Sequence, residues 1–380
     1  MIHFPGSRTI SAALCACALL AAATALPAAP GVARAKGQAG GGGGWRVLAP
    51  VSYKNLTIFP VAGEDLPGSA DYITLDEGTR AGSVVITEKG AGSPAAHARP
   101  HPRVPQSAAR QQNVVYSGGG ASVNELSLVN RSGKKLVLLA GEVIVGGKQD
   151  RIVQEDRVIP PVSVPVALSV FCVEHGRWSA QRAGYNAGGG AAAPDNGPAK
   201  FSSLGAVAHP KLRGVAQDKK AQGEVWKEVG ENNVKLGTSN TTDTYQEVYS
   251  SKRVVGQMDD YLRALQSEVL RPGVVGVVVA RNGKPVWADV FASQRLFAAY
   301  WPKLLKSYVV EALGDNTSEK RPALEEAARY LRDRDGTVSA TTQDGVYQLV
   351  KTEQAAYAVF ELRDISLLTP LRLHFNKMDR

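Results

Sequence analysis

The chain has 380 residues, of which 44% are hydrophobic and 21% are charged, and its formal net charge is +9. These values are those of an ordinary globular protein, and they allow a sizeable core in one large domain or two smaller ones. The basic excess is spread along the chain without a basic run or a basic helix face, which argues against a nucleic-acid partner. It indicates mild attraction for anions.

The N-terminal residues have the layout of a secretory signal peptide. Arg8 precedes an apolar stretch from Ile10 to Leu26, and Ala33-Arg34-Ala35 supplies a small-residue cleavage pattern. A retained membrane anchor is the weaker reading, because the apolar run is shorter than the roughly 20 residues needed to span a bilayer. No later stretch is apolar enough to span. We therefore expect residues 1–35 to be removed from an exported, periplasmic or extracellular protein without a transmembrane segment.

Cysteine usage agrees with that expectation. Cys15 and Cys17 would leave with the signal peptide, so the mature chain would keep Cys172 alone and have no internal disulfide. Residues 36–44 are nearly all glycine and are predicted to be a flexible linker.

Residues 45–376 are predicted to form one α+β domain, because strand patterns come first and helices mix with strands later. Two low-complexity loops interrupt it, near residues 90–112 and 184–200. The predicted strands are Tyr53 to Pro60, Asp71 to Leu75, Ser83 to Glu88, Val123 to Val129, Lys135 to Val145, Arg151 to Val153, Val158 to Val164, Val166 to Val173, Gly273 to Ala280, Val286 to Phe291, Gly345 to Lys351, Tyr357 to Leu362 and Leu371 to Phe375. The predicted helices are Lys219 to Asn232, Ser251 to Val269, Leu296 to Leu313 with an interruption or kink at Pro302, and Ala323 to Arg332.

The densest group of polar residues lies in a turn within Gly141 to Arg151, between two strand-like runs. Paired glycines allow positive φ and close backbone approach to an anion, and a nearby lysine and arginine can neutralise it. The candidate ligand-binding residues are Gly146, Gly147, Lys148, Gln149, Arg151, Arg177 and Trp178, and Glu142 and Asp150 are candidates for a general base. The alternative is a structural hairpin whose charges are solvated or paired with each other.

The run from Cys172 to Trp178 offers a second candidate. Cys172 as a nucleophile with His175 as its base is disfavoured, since residues three apart on a strand point to opposite faces. A buried, structural thiol is the better interpretation. Arg177 and Trp178 either mark a packed strand end or meet the charge and the flat face of a ligand. No metal-binding signature and no Gly-x-Ser-x-Gly elbow is present.

Three stretches resemble the ARG-and-Rhodanese-Phosphatase-superfamily-associated protein domain: Leu126 to Asn130, Gly141 to Arg151 and Cys172 to Trp178. Later stretches, Gly273 to Gly276, Asn282 to Lys284 and Asp289 to Phe291, are also similar to it, so the resemblance spans roughly residues 45–313. It implies a shared fold and points towards nucleotide-like or phosphorylated ligands. It assigns neither catalytic residues nor a cofactor.

Three hypotheses about function follow. The first is an exported binding module for a small anionic or nucleotide-like ligand, or for a partner. The second is a hydrolase of phosphorylated or ADP-ribose-like compounds that uses Glu142 or Asp150 as base. The third is a structural envelope protein in which the turn serves folding alone.

Overall fold

The computed structural model describes residues 44–89, 124–147, 149–174, 200–315 and 318–380. The predicted signal peptide, the loop near residues 90–112 and all but residue 200 of the second loop lie outside these ranges. Strands dominate the described residues up to position 174, and helices alternate with strands beyond it. The predicted α+β class is confirmed.

A nine-stranded antiparallel sheet forms the larger part of the fold. Its strands follow the order β1-β3-β13-β14-β18-β17-β16-β15, with β2 paired to β3 beside β1. The strands are β1 Arg46–Val47, β2 Val51–Tyr53, β3 Leu56–Ala62, β13 Val274–Arg281, β14 Lys284–Phe291, β15 Thr337–Gln343, β16 Tyr347–Glu353, β17 Tyr357–Asp364 and β18 Leu371–Asp379. Strand β18, the last in the sequence, lies inside the sheet between β14 and β17.

Six further strands close into a barrel in the order β11-β6-β5-β12-β8-β9. They are β5 Val84–Glu88, β6 Glu125–Asn130, β8 Glu142–Gly146, β9 Arg151–Val153, β11 Val162–Cys172 and β12 Lys200–Val207. Alternate residues of these strands, among them Ile86, Leu128, Ile144 and Leu168, pack into one buried apolar cluster. A barrel of this size is filled by its own side chains. Chemistry is therefore expected at its ends.

A small sheet of order β10-β7-β4 packs its Leu136 and Leu138 into the same cluster. Its strands are β4 Tyr72–Thr74, β7 Lys135–Leu138 and β10 Arg157–Ile159. Strands β4 and β7 run parallel, the one parallel pair among the described strands.

Seven α-helices occur among the described residues. They are α1 Leu75–Arg80, α2 Pro210–Gly214, α3 Gln222–Leu236, α4 Glu247–Ser250, α5 Lys252–Val269, α6 Gln294–Leu313 and α7 Leu324–Arg332, and a π-helical segment, Val215–Lys219, follows α2. Helix α5 buries Val254, Met258, Tyr261, Leu265 and Val269, the stripe that an amphipathic helix turns towards a core.

The structure corrects a predicted strand. The strand predicted over Lys135 to Val145 is two strands, β7 and β8, because Gly141 between them has φ 82 and turns the chain. A Cβ at Gly141 would lie 2.5 Å from the Arg213 Cγ, so only glycine fits. Of the two alternatives for Pro302, an interruption is excluded, because Pro302 lies inside one continuous helix, α6.

Candidate functional site

The predicted turn lies at one end of the barrel. Cys172 is paired with Arg151, and Gly146 is paired with Phe201, so the ends of β8, β9, β11 and β12 meet there. Glu88, the last residue of β5, is at the same end because it pairs with Leu126 near the start of β6. Gln149, Asp150 and Arg151 are 2%, 2% and 1% exposed. These three residues are therefore buried and are not part of a solvated hairpin tip.

The polar groups of this turn bind to each other and to residues of neighbouring segments. Gln149 donates from Nε2 to the Glu174 carbonyl at 2.9 Å, and its Oε1 accepts from the Cys172 thiol at 3.1 Å and from Arg151 Nη1 at 3.3 Å. The Asp150 carboxylate accepts from the Gly146 N–H at 3.4 Å and from the Thr244 hydroxyl at 3.2 Å. The Gly146 N–H thus points at a carboxylate of the chain.

Steric crowding accounts for the paired glycines. Gly146 and Gly147 have φ 120 and 55, which other residues rarely adopt. A Cβ at Gly146 would lie 2.7 Å from the Lys200 carbonyl oxygen, and one at Gly147 would lie 2.2 Å from the Phe201 ring. Both glycines are needed because β12 passes directly over the turn.

Charged side chains are buried at this end of the barrel. They include Glu88, Asp150, Glu174 and Arg151, and the Arg151 Nε has no hydrogen-bond partner among the described residues. Burial raises the pKa of the Cys172 thiol to about 11, although Arg151 opposes that shift. The interpretation of Cys172 as a buried structural thiol agrees with this environment. Lys148, His175, Arg177 and Trp178 lie outside the described residues.

Glu142, the other predicted base, is not brought to this turn. It begins β8, four residues before Gly146, which is roughly 13 Å at the usual rise of a strand. Its carboxylate is fully buried, accepts from the Leu139 N–H at 2.8 Å and forms a short ion pair with Lys303 Nζ. The Lys303 Nζ also forms an ion pair with Asp76 Oδ2 at 2.9 Å.

This cluster of Glu142, Lys303 and Asp76 adjoins a polar cleft of about 660 Å³. The cleft lies between α1, β12 and α6, and Asp76, Ser203 and Lys303 are among its lining residues. The Ser203 hydroxyl donates to Asp76. Burial raises the pKa of Glu142, although the charge of Lys303 opposes that shift. Burial alone would lower the pKa of Lys303, but the charges of Glu142 and Asp76 outweigh it and raise that pKa.

A second cleft, of about 690 Å³, has a different character. It lies between the π-helical segment, the end of α6 and the β13–β14 hairpin. Its floor is apolar and aromatic, formed by Leu56, Val279, Val286, Trp287 and Met378, and its rim is charged. Clefts of about 300–1,000 Å³ with an apolar lining and a few polar groups are typical small-molecule sites.

The rim of this apolar-floored cleft carries five cations and four carboxylates. They are Lys211, Lys219, Arg281, Lys284 and Arg380, and Asp218, Glu311, Asp315 and Asp379. Every one of these carboxylates already has a cation partner: Arg281 pairs with Glu311 and Asp315, Lys284 with Asp379 at 2.6 Å, and Arg380 with Asp218 at 2.8 Å. Lys219 is exposed and has no ion pair with a described residue.

Buried polar groups fix the floor from beneath. The Trp287 indole donates to Asp289 at 2.8 Å, the Tyr308 hydroxyl also donates to Asp289, and Arg213 binds the same carboxylate through two nitrogens. The Arg213 guanidinium carbon lies 5.1 Å from the centre of the Trp287 ring. Trp287 is therefore held in one orientation before any ligand arrives.

Sequence reasoning missed both clefts. Asp76 and Lys303 are more than 200 positions apart, and the residues of the apolar-floored cleft come from five separate stretches. The one available indication was Pro302, which removes an N–H from α6 next to Lys303.

Among the described residues, no group of three or more His, Cys, Asp and Glu side chains is arranged to hold a metal ion. No helix of the described ranges is long and apolar enough to cross a membrane.

Comparison with known proteins gives one match. The model of the ARG and Rhodanese-Phosphatase-superfamily-associated Protein domain matches residues 44–362. No curated protein and no solved structure matches the chain significantly. The matched range contains the barrel, the polar cleft, and most of the apolar-floored cleft and of the nine-stranded sheet, which is the greater part of the chain. The chain therefore belongs to this family.

Proposed function

We propose that the protein is a binding module for a small anionic ligand with a flat apolar part, such as a nucleotide, and that it binds in the apolar-floored cleft. The observation that carries this proposal is the combination of the fixed Trp287 floor with an excess of cations on the rim. A planar ring would cover the floor, and the anionic group would lie against the exposed lysines. The proposed site is thus distinct from the Gly146 to Arg151 turn.

The rim favours an anion because its carboxylates are already neutralised. Asp218 is paired with both Lys351, at 2.6 Å, and Arg380. Burial alone would raise the pKa of Glu311, but His209 and Arg281 outweigh it and lower that pKa, so its charge is also retained by a cation. An incoming phosphate therefore meets Lys219 without displacing a carboxylate, and exposed Lys284, which is paired with Asp379, lies on the same rim.

Calorimetric titration with inorganic phosphate, nucleosides, nucleotides and ADP-ribose tests the proposal. We expect nucleotides to bind more tightly than phosphate or nucleosides alone, and binding to weaken with salt, because the charges are exposed and screened. The double variant Lys219→Ala, Lys284→Ala should weaken binding about tenfold, since exposed charge contacts contribute up to about 1 kcal/mol each.

Lys227 and Lys252 give a matched control, because both are exposed lysines outside the cleft. The double variant Lys227→Ala, Lys252→Ala removes the same charge and should bind like the unaltered protein. Equal weakening of ligand binding in both double variants would show that binding depends on the net charge of the protein and not on the rim lysines. The absence of binding to any of these compounds would refute the proposal.

Hydrolysis is the second candidate function, and the polar cleft is the observation that favours it. Glu142 is a buried carboxyl with a raised pKa, and it lies behind the cleft, ion-paired with Lys303, which lines the cleft together with Asp76. A carboxyl with a raised pKa next to a cleft is a candidate for a general base. In this reaction Glu142 would take a proton from water, water oxygen would bond to phosphorus, and the leaving oxygen would depart with a proton from solvent.

Turnover of phosphorylated and ADP-ribose-like compounds, measured with and without Mg²⁺, tests this second candidate. The variant Glu142→Gln should abolish turnover, while Lys227→Ala should leave it unchanged. Full activity in Glu142→Gln would exclude Glu142 as base. Binding in the apolar-floored cleft should persist in Glu142→Gln, so the two proposals are separable.

We also propose that the chain is exported. The support is the signal-peptide layout of residues 1–35. Fractionation of cells that produce the full chain should place the protein outside the cytoplasm, and N-terminal sequencing should begin near residue 36. A cytoplasmic protein that begins at Met1 would contradict it.

A further inference from the structure

The two edges of the nine-stranded sheet are built differently. At one edge, β1 and β2 are two and three residues long, helix α7 packs against β1 and helix α5 packs against β2. At the other edge lies β15, seven residues long. One edge is short and covered, whereas the other is long.

All seven residues of β15 are exposed to solvent. The strand pairs with β16 from Thr337, opposite Glu353, to Gln343, opposite Tyr347, without a register shift. Val338 is 65% exposed. On its outer side, alternate residues of an edge strand present unpaired N–H and C=O groups, which form a template for another strand.

The described residues of β15 lack the features by which natural sheets usually prevent an edge strand from pairing with another chain. The strand Thr-Val-Ser-Ala-Thr-Thr-Gln contains no charged residue, no proline and no bulge. Natural sheets commonly block long edges with lysine, proline or a bulge. The neighbouring strand β16 contains Lys351 and Glu353, so the lack of charge is specific to the outermost strand.

We propose that β15 pairs antiparallel with β15 of a second copy of this chain, so that the two sheets become continuous. A two-fold axis brings each edge residue close to residues of the same strand in the partner, and like charges that face each other there would repel. Because no residue of β15 is charged, no such repulsion opposes its pairing with itself. A strand from a different protein would place no such restriction on β15.

The pairing is limited to two copies by the opposite edge. Because β1 and β2 are short and have helices packed against them, a third copy finds no equivalent strand. We therefore expect a closed dimer, not an open-ended fibre.

Molecular mass measured by light scattering over a concentration series tests the proposal. The purified protein should pass from monomer to dimer, and the β15 amides should become protected from hydrogen exchange as the dimer forms. In Ala340→Lys, which places two like charges near the axis, the dimer dissociation constant should rise at least about tenfold. Ala340 is exposed, so this variant is expected to fold.

Ala355→Lys is the matched control, because Ala355 is equally exposed but lies in the turn between β16 and β17. It should dimerise like the unaltered protein. A protein that stays monomeric at every concentration would overturn the proposal. If an added peptide then protected the β15 amides from hydrogen exchange, the edge would be assigned to a different partner. A dimer that survives in Ala340→Lys, or growth beyond two copies, would overturn it as well.

Discussion

Arg213 and Asp289 form a two-pronged ion pair, at 3.0 and 3.1 Å, in which both side chains are completely buried. The same carboxylate accepts from Asn376 and His374, each at 3.0 Å. Burial alone would raise the pKa of Asp289, but Arg213 and His374 hold it well below its ordinary value. One carboxylate thus joins α2, β14, α6 and β18.

Removal of this carboxylate should be strongly destabilising. We expect Asp289→Ala to lower the free energy of unfolding by about 3–5 kcal/mol, because it leaves the Arg213 charge buried and unpaired. Denaturant unfolding measures the change. In the double variant Arg213→Met, Asp289→Ala most of the loss should be recovered. If the loss in free energy of unfolding in the double variant equals the sum of the losses in the two single variants, the unpaired charge is not the cause of the destabilisation.

An exposed ion pair gives the comparison. Arg263 pairs with Asp260 on the outer face of α5, and its side chain is 73% exposed. We expect Arg263→Ala to change the free energy of unfolding by less than about 1 kcal/mol.

Stability should depend on pH through His374. Burial alone would lower the pKa of this imidazole, but Asp156 at 2.6 Å and Asp289 at 3.0 Å raise it to about 9. The folded state therefore holds a proton that the unfolded state releases near pH 6.5. The stabilisation is complete below pH 6.5 and is lost as the pH rises through about 9.

Unfolding profiles of the unaltered protein and of His374→Gln isolate this contribution. Their difference should shrink between pH 6.5 and 9, as the histidine stabilisation disappears. Lys377, whose pKa is lowered to about 8 by burial, acts in the opposite direction but is present in both proteins and cancels. A difference that is constant over this range would show that His374 is neutral in the folded state.

Gly147 should be far less replaceable than Gly133. Both have positive φ, 55 and 73, but a Cβ at Gly133 meets nothing within 4 Å, whereas one at Gly147 meets the Phe201 ring. We expect Gly133→Ala to cost about 1 kcal/mol of stability and Gly147→Ala to cost about 2–4 kcal/mol. Thermal or denaturant unfolding compares them, and equal losses would mean that backbone strain alone matters.

The Cys172 thiol should be inert while the protein is folded. It is fully buried, and its pKa of about 11 leaves little thiolate near neutral pH. Alkylation at pH 8 followed by mass spectrometry of the peptide that contains Cys172 should show modification only in denaturant. Rapid alkylation of the folded protein would contradict the position of this thiol inside the barrel.

Patterns of local sequence predicted most of the strands because alternation and turns are local properties. The helix predicted over Ser251 to Val269 is found as α5, and the strands predicted over Gly273 to Ala280 and Val286 to Phe291 are found as β13 and β14. Strand β12 and helix α1 were missed, since Gly205 breaks the alternation of the first and α1 is only six residues long. The closed barrel is invisible to such patterns, as it depends on which strands pair.

The turn of Gly146 to Arg151 shows why the site was harder to predict than the fold. The residue types were identified correctly as unusual, but their spacing does not say whether a glycine faces a ligand or a neighbouring strand. The Phe201 ring, which a Cβ at Gly147 would meet, is 54 positions away from that glycine, so no local pattern reveals the contact. Likewise Glu142 and Asp150 are close in sequence, yet strand β8 separates them.

The position of β18 also has a consequence for the timing of folding. Residues 371–379 fill the gap between β14 and β17, so the large sheet stays divided until they have been synthesised. His374 and Asn376 arrive with them, and the charges of Asp156 and Asp289 lack these partners until then. During synthesis, the preceding residues therefore cannot reach the native state early. If the chain is exported unfolded, in line with the proposal above, this delay keeps it in a form that a translocation channel can accept.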